Sequence, residues 1–249
     1  VALLYPATVE NIEYGAVGPV LALLVALAWR YRERAAVAAS ALGGAIVLKV
    51  FLWPLLVWLA ATRRLAAAAG AAVVALGLAL LSWAAIGFDG IADYPDLLRR
   101  LSAFEAENSY SVFAALVALG ASETVARALV VLGAAALLGA AWRLGRGESR
   151  DRDRRSLTLA LAAAFALTPI LWLHYLVLLV VPIALARPRL SGLWLAPLAL
   201  TVCELLGWYR GWPRGDGWAL ASVLGLLALV FALCARPAEP GGRRLAAWL

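Results

Sequence analysis

The sequence predicts an all-α membrane protein, a polytopic bundle of transmembrane helices in which some helices are broken or re-entrant. Three observations support this class. The 249 residues are 65% hydrophobic with a mean hydropathy of +0.88, whereas a soluble domain is roughly half apolar. Several apolar runs approach the ~20 residues that cross a hydrocarbon core about 30 Å thick. The arginines fall in short clusters between these runs, as in cytoplasmic loops.

The charges and the absence of common motifs narrow the function classes. The net charge of +7 invites a nucleic-acid partner, but the arginines separate apolar runs instead of lining one polar face, so we expect none. The sequence has no P-loop, H-E-x-x-H or G-x-S-x-G motif. With one histidine and two cysteines outside any C-x-x-C pair, we expect no metal and no other cofactor.

The apolar runs predict the helices in chain order, within one transmembrane domain that covers residues 1–249. The predicted segments are 14–29, 35–62, 65–86, 112–119, 124–142, 157–186, 190–206 and 218–234. The sequence between the third and fourth of these is polar. The tail after residue 234 is basic and is predicted to lie at the membrane surface.

The arginine clusters predict a topology. Clusters near Arg30, Arg63, residues 143–155, Arg187 and the tail mark the cytoplasmic side. Segments 35–62 and 157–186 then begin and end on that side. Each arm has only about 12–17 residues, roughly 18–25 Å of helix, which is short of a full span. The alternative is that 35–62 forms one long tilted helix, which would reverse the sides of the later segments.

A helix breaker lies near the middle of each returning segment. These breakers are Pro54 and Pro169. The only lysine, Lys49, and the only histidine, His174, lie beside them. A charge among membrane residues costs roughly 2.5–3.5 kcal/mol, so it usually has a function. Their matching depths suggest one shared polar site, although a snorkelling lysine and a backbone-bonded histidine would also fit.

Residues 88–111 form the predicted outer loop. Apolar residues recur there at helical spacing and predict an interfacial helix over 95–106; they are Leu97, Leu98, Leu101 and Phe104. The polar residues Asp93, Asn108 and Tyr110 are candidate substrate-binding residues, although an ordinary solvated loop would also contain such side chains.

Several of these stretches resemble a known family. The pattern G-x-x-x-x-L-K-x-x-x-W-P at 43–54 precedes W-x-H-Y at 172–175, and IGFDGIADYPDLLRRL and ENSYS lie between them. Together they resemble bacterial GT-C glycosyltransferases. More closely, they resemble the polyprenol-phosphate-mannose-dependent mannosyltransferases of glycosyltransferase family 87. The resemblance covers about residues 15–186.

The resemblance implies transfer of a sugar, mannose in that family, from a polyprenyl-phosphate donor to a lipid or glycan acceptor. It places the site on the non-cytoplasmic face of a multi-pass cell-membrane protein. It implies that Lys49 binds the donor phosphate, and that His174 is catalytic with Tyr175 beside the reacting group. It also places the catalytic base, an aspartate, upstream of Val1. We therefore expect this chain, which has no methionine, to be the C-terminal part of a longer protein. Because the chain lacks that base, we expect it to be inactive by itself.

Two other function classes stay open from the sequence. A transporter or flippase of a lipid-linked precursor would also use broken helices that carry buried charges, although the two halves show no inverted repeat. A non-catalytic membrane scaffold would leave Lys49 and His174 without a function.

Overall fold

The described residues are entirely helical in their regular structure. The computed structural model describes residues 11, 14–105, 109–149, 151–187, 189–197 and 217–237. Its α-helices are α1 (Gly18–Arg30), α2 (Ala35–Leu48), α3 (Leu55–Ala61), α4 (Leu65–Ala85), α5 (Tyr94–Glu105), α6 (Val112–Ala118), α7 (Glu123–Arg146), α8 (Arg152–Leu167), α9 (Val180–Ala186) and α10 (Gly217–Ala235). Short 3-10 segments occur at Val50–Leu52, Leu173–Leu179 and Gly192–Leu195.

Both returning segments are broken, as predicted. In the first, α2 ends at Leu48 and Lys49 is extended, with φ −148° and ψ 98°. In the second, α8 ends at Leu167 and Thr168 is extended, with φ −69° and ψ 126°. A proline lies at each break. Pro54 directly precedes α3, where the helix begins again, and Pro169 follows Thr168, where α8 has ended. Residues 35–62 therefore do not form one continuous helix.

Four charged residues gather at one end of the bundle, which we call the charged end. The carboxylate of Asp153, at the start of α8, accepts hydrogen bonds from Arg32 at 3.0 Å and from Arg64 at 2.7 Å. Arg64 also pairs with Glu33 at 2.5 Å. Arg32 and Glu33 precede α2, whereas Arg64 follows α3. Segment 35–62 therefore begins and ends at the same end of the bundle, as the arginine clusters predict.

Arginines of α8 also hold the end of α10 at the charged end. Arg154 donates to the carbonyls of Cys234 and Arg236, the latter at 2.7 Å, and Arg155 donates to Ala235 at 2.8 Å. The last carbonyls of a helix have no partner within the helix, and basic side chains satisfy them well. The beginning of α8 and the end of α10 are thereby joined.

The broken segments occupy the centre of the bundle, and the long helices lie outside them. Half of α2 and most of α8 are buried. By length and apolar composition, α4 and α7 are the two helices of the described residues that can cross a membrane, and only 17% of the apolar window of each is buried. The other described apolar helices are shorter, so the number of spans stays a prediction.

Small residues allow α2 and α4 to approach closely. A methyl group added at Gly43 would lie 2.7 Å from Val74, and one added at Gly70 would lie 2.9 Å from Ala39. Such contacts are characteristic of helices that associate in lipid, where small side chains let the backbones meet. The long helix α4 thus covers the first broken segment.

The outer-loop helix forms where predicted, with α5 beginning one residue earlier than the predicted 95–106 and described as far as Glu105. All four residues of its apolar stripe are exposed; they are Leu97, Leu98, Leu101 and Phe104. Its first residue, Tyr94, packs edge-on against Trp83 at the end of α4, with ring centroids 5.5 Å apart. Most of the predicted segment 190–206 and the basic tail from residue 238 lie outside the described residues.

Candidate functional site

Lys49 is placed by the end of α2. Its backbone N–H still donates to Ala45 at 3.0 Å, but its own backbone is extended and ends the helix. The ammonium donates to the hydroxyl of Tyr175 at 2.7 Å. Among the described residues, Lys49 forms no salt bridge with a carboxylate. A cation in apolar surroundings that has a hydroxyl partner and no counter-ion is suited to receiving an anion.

His174 and Tyr175 lie in the second break, at the start of the 3-10 segment. Both are almost fully buried, with 8% and 6% of their surfaces exposed. Their rings meet edge-on with centroids 4.7 Å apart. Lys49 is half-buried, and the adjacent residues Leu48 and Val50 are exposed. A ligand would therefore approach these rings from the side of Lys49.

Aromatic rings join the two breaks. Phe51, from the first break, stacks on Tyr175 with centroids 5.6 Å apart and an interplanar angle of 11°. Trp172 contacts the rings of both His174 and Tyr175, at 5.4 and 5.9 Å. We call Lys49, Phe51, Trp172, His174 and Tyr175 the break cluster. The sequence predicted that Lys49 and His174 would lie together, and the structure brings them to one place.

The end of the outer loop is paired with the second break. The backbone N–H of Tyr110 donates to Leu171 at 2.8 Å. The hydroxyl of Ser109 accepts from the N–H of Leu171 at 2.9 Å and donates to the carbonyl of Pro169 at 3.2 Å. Tyr110 and Ser109 are both buried. The candidate Tyr110 therefore lies beside the segment that leads into His174.

A buried asparagine holds the other side of the second break. The amide of Asn11 donates to the carbonyl of His174 at 2.8 Å, and its oxygen accepts from the N–H of Gly18 at 2.9 Å. A methyl group at Gly18 would lie 2.3 Å from that oxygen, so glycine is required for this approach. Asn11 thus connects the beginning of α1 to His174.

The remaining predicted site residues are not joined to the break cluster by described contacts. Asp93 is exposed in the turn before α5, where its carbonyl accepts from the N–H of Leu97 at 2.9 Å. Asn108 lies outside the described residues. Sequence reasoning missed Asn11 and Ser109, although both carried a signal. Asn11 is one of two asparagines in a largely apolar chain, and Ser109 belongs to the ENSYS stretch.

An apolar groove of about 290 Å³ runs along α9, the helix that comes after the second break in the chain. It lies between α1 and α9, and α9 begins directly after the 3-10 segment that carries His174. The lining residues are Ala22, Leu23, Ala26, Trp29, Val180, Val181, Ala184 and Leu185. None of them belongs to the break cluster, so the groove adjoins the cluster along the chain and is a separate feature.

The break cluster and the charged end differ in how their charges are paired. At the charged end, burial alone would raise the pKa of Asp153, but hydrogen bonds from Arg64 and Arg32 outweigh it and hold that pKa below its ordinary value. The carboxylates at the charged end are thus paired with arginines there, whereas no carboxylate of the described residues pairs with Lys49. In the parts of the chain that are described, no three His, Cys, Asp or Glu side chains group as metal ligands.

The fold and the break cluster define a helical, apolar protein with a candidate anion site where two broken helices meet. The family model of glycosyltransferase family 87 matches residues 1–182, which include both breaks and all residues of the cluster. The chain belongs to glycosyltransferase family 87. A search of the curated proteins and a search of the solved structures found no match. Family membership supports a glycosyltransferase and does not favour the transporter alternative.

Proposed function

We propose that this chain forms the donor-binding part of a multi-pass membrane glycosyltransferase. The enzyme transfers a sugar, mannose by the family resemblance, from a polyprenyl-phosphate donor to a lipid or glycan acceptor on the non-cytoplasmic face. The observation that carries the proposal is the Lys49 ammonium, which lies 2.7 Å from the Tyr175 hydroxyl, beside the only histidine. Family membership adds the reaction class.

The role of Lys49 is to bind the donor phosphate. In the reaction, the bond between the anomeric carbon and the phosphate oxygen breaks, and a bond from that carbon to the acceptor hydroxyl forms. Negative charge grows on the departing phosphate. A fixed cation in a low-dielectric site stabilises that charge far better than water does. The hydroxyl of Tyr175 fixes the position of the ammonium before the donor arrives.

The role of His174 is to act on the same departing phosphate as hydrogen-bond or proton donor. Its imidazole lies against Tyr175, which in turn holds Lys49, so one phosphate group can reach both side chains from the open side. Removing one such donor from a pre-organised site costs about 10²–10³-fold in rate.

The acceptor hydroxyl must lose a proton, and a carboxylate is the usual base in sugar chemistry. No contact in the described ranges brings an Asp or Glu to the break cluster. We assign the base to the upstream aspartate that the family resemblance implies. Asp93, Asn108 and Tyr110 are assigned to acceptor binding, since the outer loop is paired with the second break at Tyr110.

The groove between α1 and α9 is assigned to the first isoprene units of the donor. It is lined only by apolar and aromatic residues, and α9, which forms one of its walls, begins directly after the 3-10 segment that carries His174. The exposed apolar stripe of α5 is assigned to the membrane surface, because a helix with one apolar face and one charged face lies in that interface.

The His174→Ala variant tests the proposed function. In membranes that contain the full-length natural protein, transfer from polyprenyl-phosphate mannose should fall about 100-fold, with expression near the wild-type level. The matched control is Trp194→Phe, an aromatic change outside the break cluster, which should retain transfer. Full activity of His174→Ala would refute the proposed role. Activity with a nucleotide sugar in place of the lipid-linked donor would refute the donor assignment.

Labelling of single cysteines tests the topology. In a background with Cys203 and Cys234 replaced by alanine, a cysteine at Arg63 should resist an impermeant thiol reagent in intact cells. A cysteine at Asp93 should react, because the arginine distribution places it outside. Both positions are exposed in the fold, so accessibility of the side chain itself does not limit the comparison. Labelling at position 63 but not at position 93 would show that the topology is the reverse of the predicted one.

A further inference from the structure

The second break contains backbone groups that no helix satisfies. Residues 169–172 lie between α8 and the 3-10 segment, outside regular structure. Buried N–H and C=O groups need partners, because an unpaired one costs about as much as a lost hydrogen bond. The carbonyls of Ile170 and Trp172 accept from nearby residues, Thr168 and Tyr175. The other partners come from distant parts of the chain: residues 109–110 bind residues 169 and 171, and Asn11 binds His174 at the start of the 3-10 segment.

We infer that Asn11 and Ser109 are positioning residues that hold His174 from both sides. Asn11 binds the carbonyl of His174 itself, and Ser109 binds the N–H and carbonyl groups of residues 171 and 169. Neither side chain touches the imidazole, so each acts through the backbone. We call the pair the break clamp. The inference rests on the proposed function, in which the placement of His174 against the donor phosphate determines the rate.

Burial makes the break clamp specific. Asn11 is 1% exposed and Ser109 is fully buried, so water cannot replace either side chain at its bonds. Ser109 is also fully used: it donates once and accepts from two N–H groups, those of Leu171 and Ser111. Its loss leaves several buried groups unpaired at once, and the segment before His174 must shift to find new partners.

The NMR signals of the His174 imidazole report the position of this side chain directly. Residues 1–249 contain one histidine, so this chain with isotope-labelled histidine in lipid nanodiscs should give one set of imidazole NMR signals. In Asn11→Asp, which keeps the acceptor for Gly18 and loses the donor to His174, the signals should shift or split. Ser109→Ala should do the same. In the full-length natural protein, the same variants should lower transfer about tenfold in kcat with the donor KM nearly unchanged, since sub-ångström misplacement costs rate more than binding.

Two further variants separate positioning from general stability. Ser111→Ala is the matched control, because Ser111 is equally buried and caps α6 through the N–H of Ala114 at 3.1 Å, without a side-chain contact to residues 169–171. It should keep both the imidazole signals and kcat. Gly18→Ala displaces the Asn11 side chain without changing Asn11, and it should reproduce the Asn11→Asp spectrum.

The outcomes distinguish the clamp from the proposed function. Unchanged imidazole signals in Asn11→Asp, Gly18→Ala and Ser109→Ala would overturn the clamp, whatever happens to transfer. Altered signals with full transfer would keep the clamp and refute the catalytic role of His174. If Ser109→Ala does not fold, the Asn11→Asp and Gly18→Ala pair decides, since these changes remove no buried hydroxyl.

Discussion

Replacing Lys49 by alanine is expected to lower transfer by about 100-fold or more, the largest effect of a single substitution on activity in this chain. The variant removes the cation that faces the donor phosphate and leaves the Tyr175 hydroxyl without its 2.7 Å partner. Lys49→Arg should recover activity only in part, because a planar guanidinium does not replace a compact ammonium. Transfer kinetics with a saturating acceptor, over a range of donor concentrations, measure both variants.

Two neighbouring substitutions control the Lys49 result. Tyr175→Phe keeps the ring that stacks on Phe51 and removes only the hydroxyl, so we expect a loss of about tenfold, the size of one hydrogen bond to a charged group. Arg127→Ala removes an exposed cation that pairs with Glu123 at 3.2 Å and lies over the ring of Phe113, away from the break cluster, and it should leave transfer unchanged. Equal losses in the Lys49 and Arg127 variants would indicate a general charge effect and refute the phosphate site.

Replacing Asp153 by asparagine is expected to cause the largest loss of stability, about 2–3 kcal/mol. The carboxylate is the shared partner of Arg32 and Arg64, and only 14% of its side chain is exposed. Its removal leaves two partly buried guanidinium groups without that counter-charge. Thermal unfolding in detergent measures the change. Asp96→Asn, which breaks an exposed pair with Arg99, should cost less than about 1 kcal/mol.

The same carboxylate makes the stability dependent on acid. Because the pKa of Asp153 is lower in the folded protein than its ordinary value of 3.8, the unfolded chain binds more protons in this range. The stabilisation is complete above the ordinary pKa and is lost as pH falls through the folded pKa. Thermal midpoints should therefore decrease below about pH 4. Asp153→Asn should flatten this decrease, and an unchanged slope would contradict the assignment.

The broad outline of the fold could be predicted from the sequence because it depends on local signals. Proline and the limited length of each apolar arm predicted both breaks. Helical spacing predicted the beginning of α5 to within one residue. The clustering of arginines predicted that segment 35–62 begins and ends on the same side. In the structure, Arg32 and Arg64, which flank this segment, bond to one carboxylate.

The partners could not be predicted, because they depend on contacts between distant residues. Asp153 lies 121 residues from Arg32 and 89 from Arg64. Its sequence context, among the six arginines of residues 143–155, does not distinguish it from a solvated charge. Asn11 bonds to a carbonyl 163 residues away. In ENSYS, the sequence directed attention to Asn108 and Tyr110, yet Ser109 makes the side-chain bonds. A single sequence does not show which distant residues contact each other in the fold.

Helix length also constrains the order of assembly during synthesis. The helices α4 and α7 are long and apolar enough to be retained by lipid individually, whereas α2 and α3 are short and flank a lysine. The ribosome delivers α2 and α3 before α4, the helix that covers them. In the multi-pass membrane protein that we propose, the first broken segment would therefore emerge when lipid alone is a poor environment for it. We expect it to remain in the insertion machinery until α4 arrives, so that α4 would act as an internal chaperone for the part of the chain that carries Lys49.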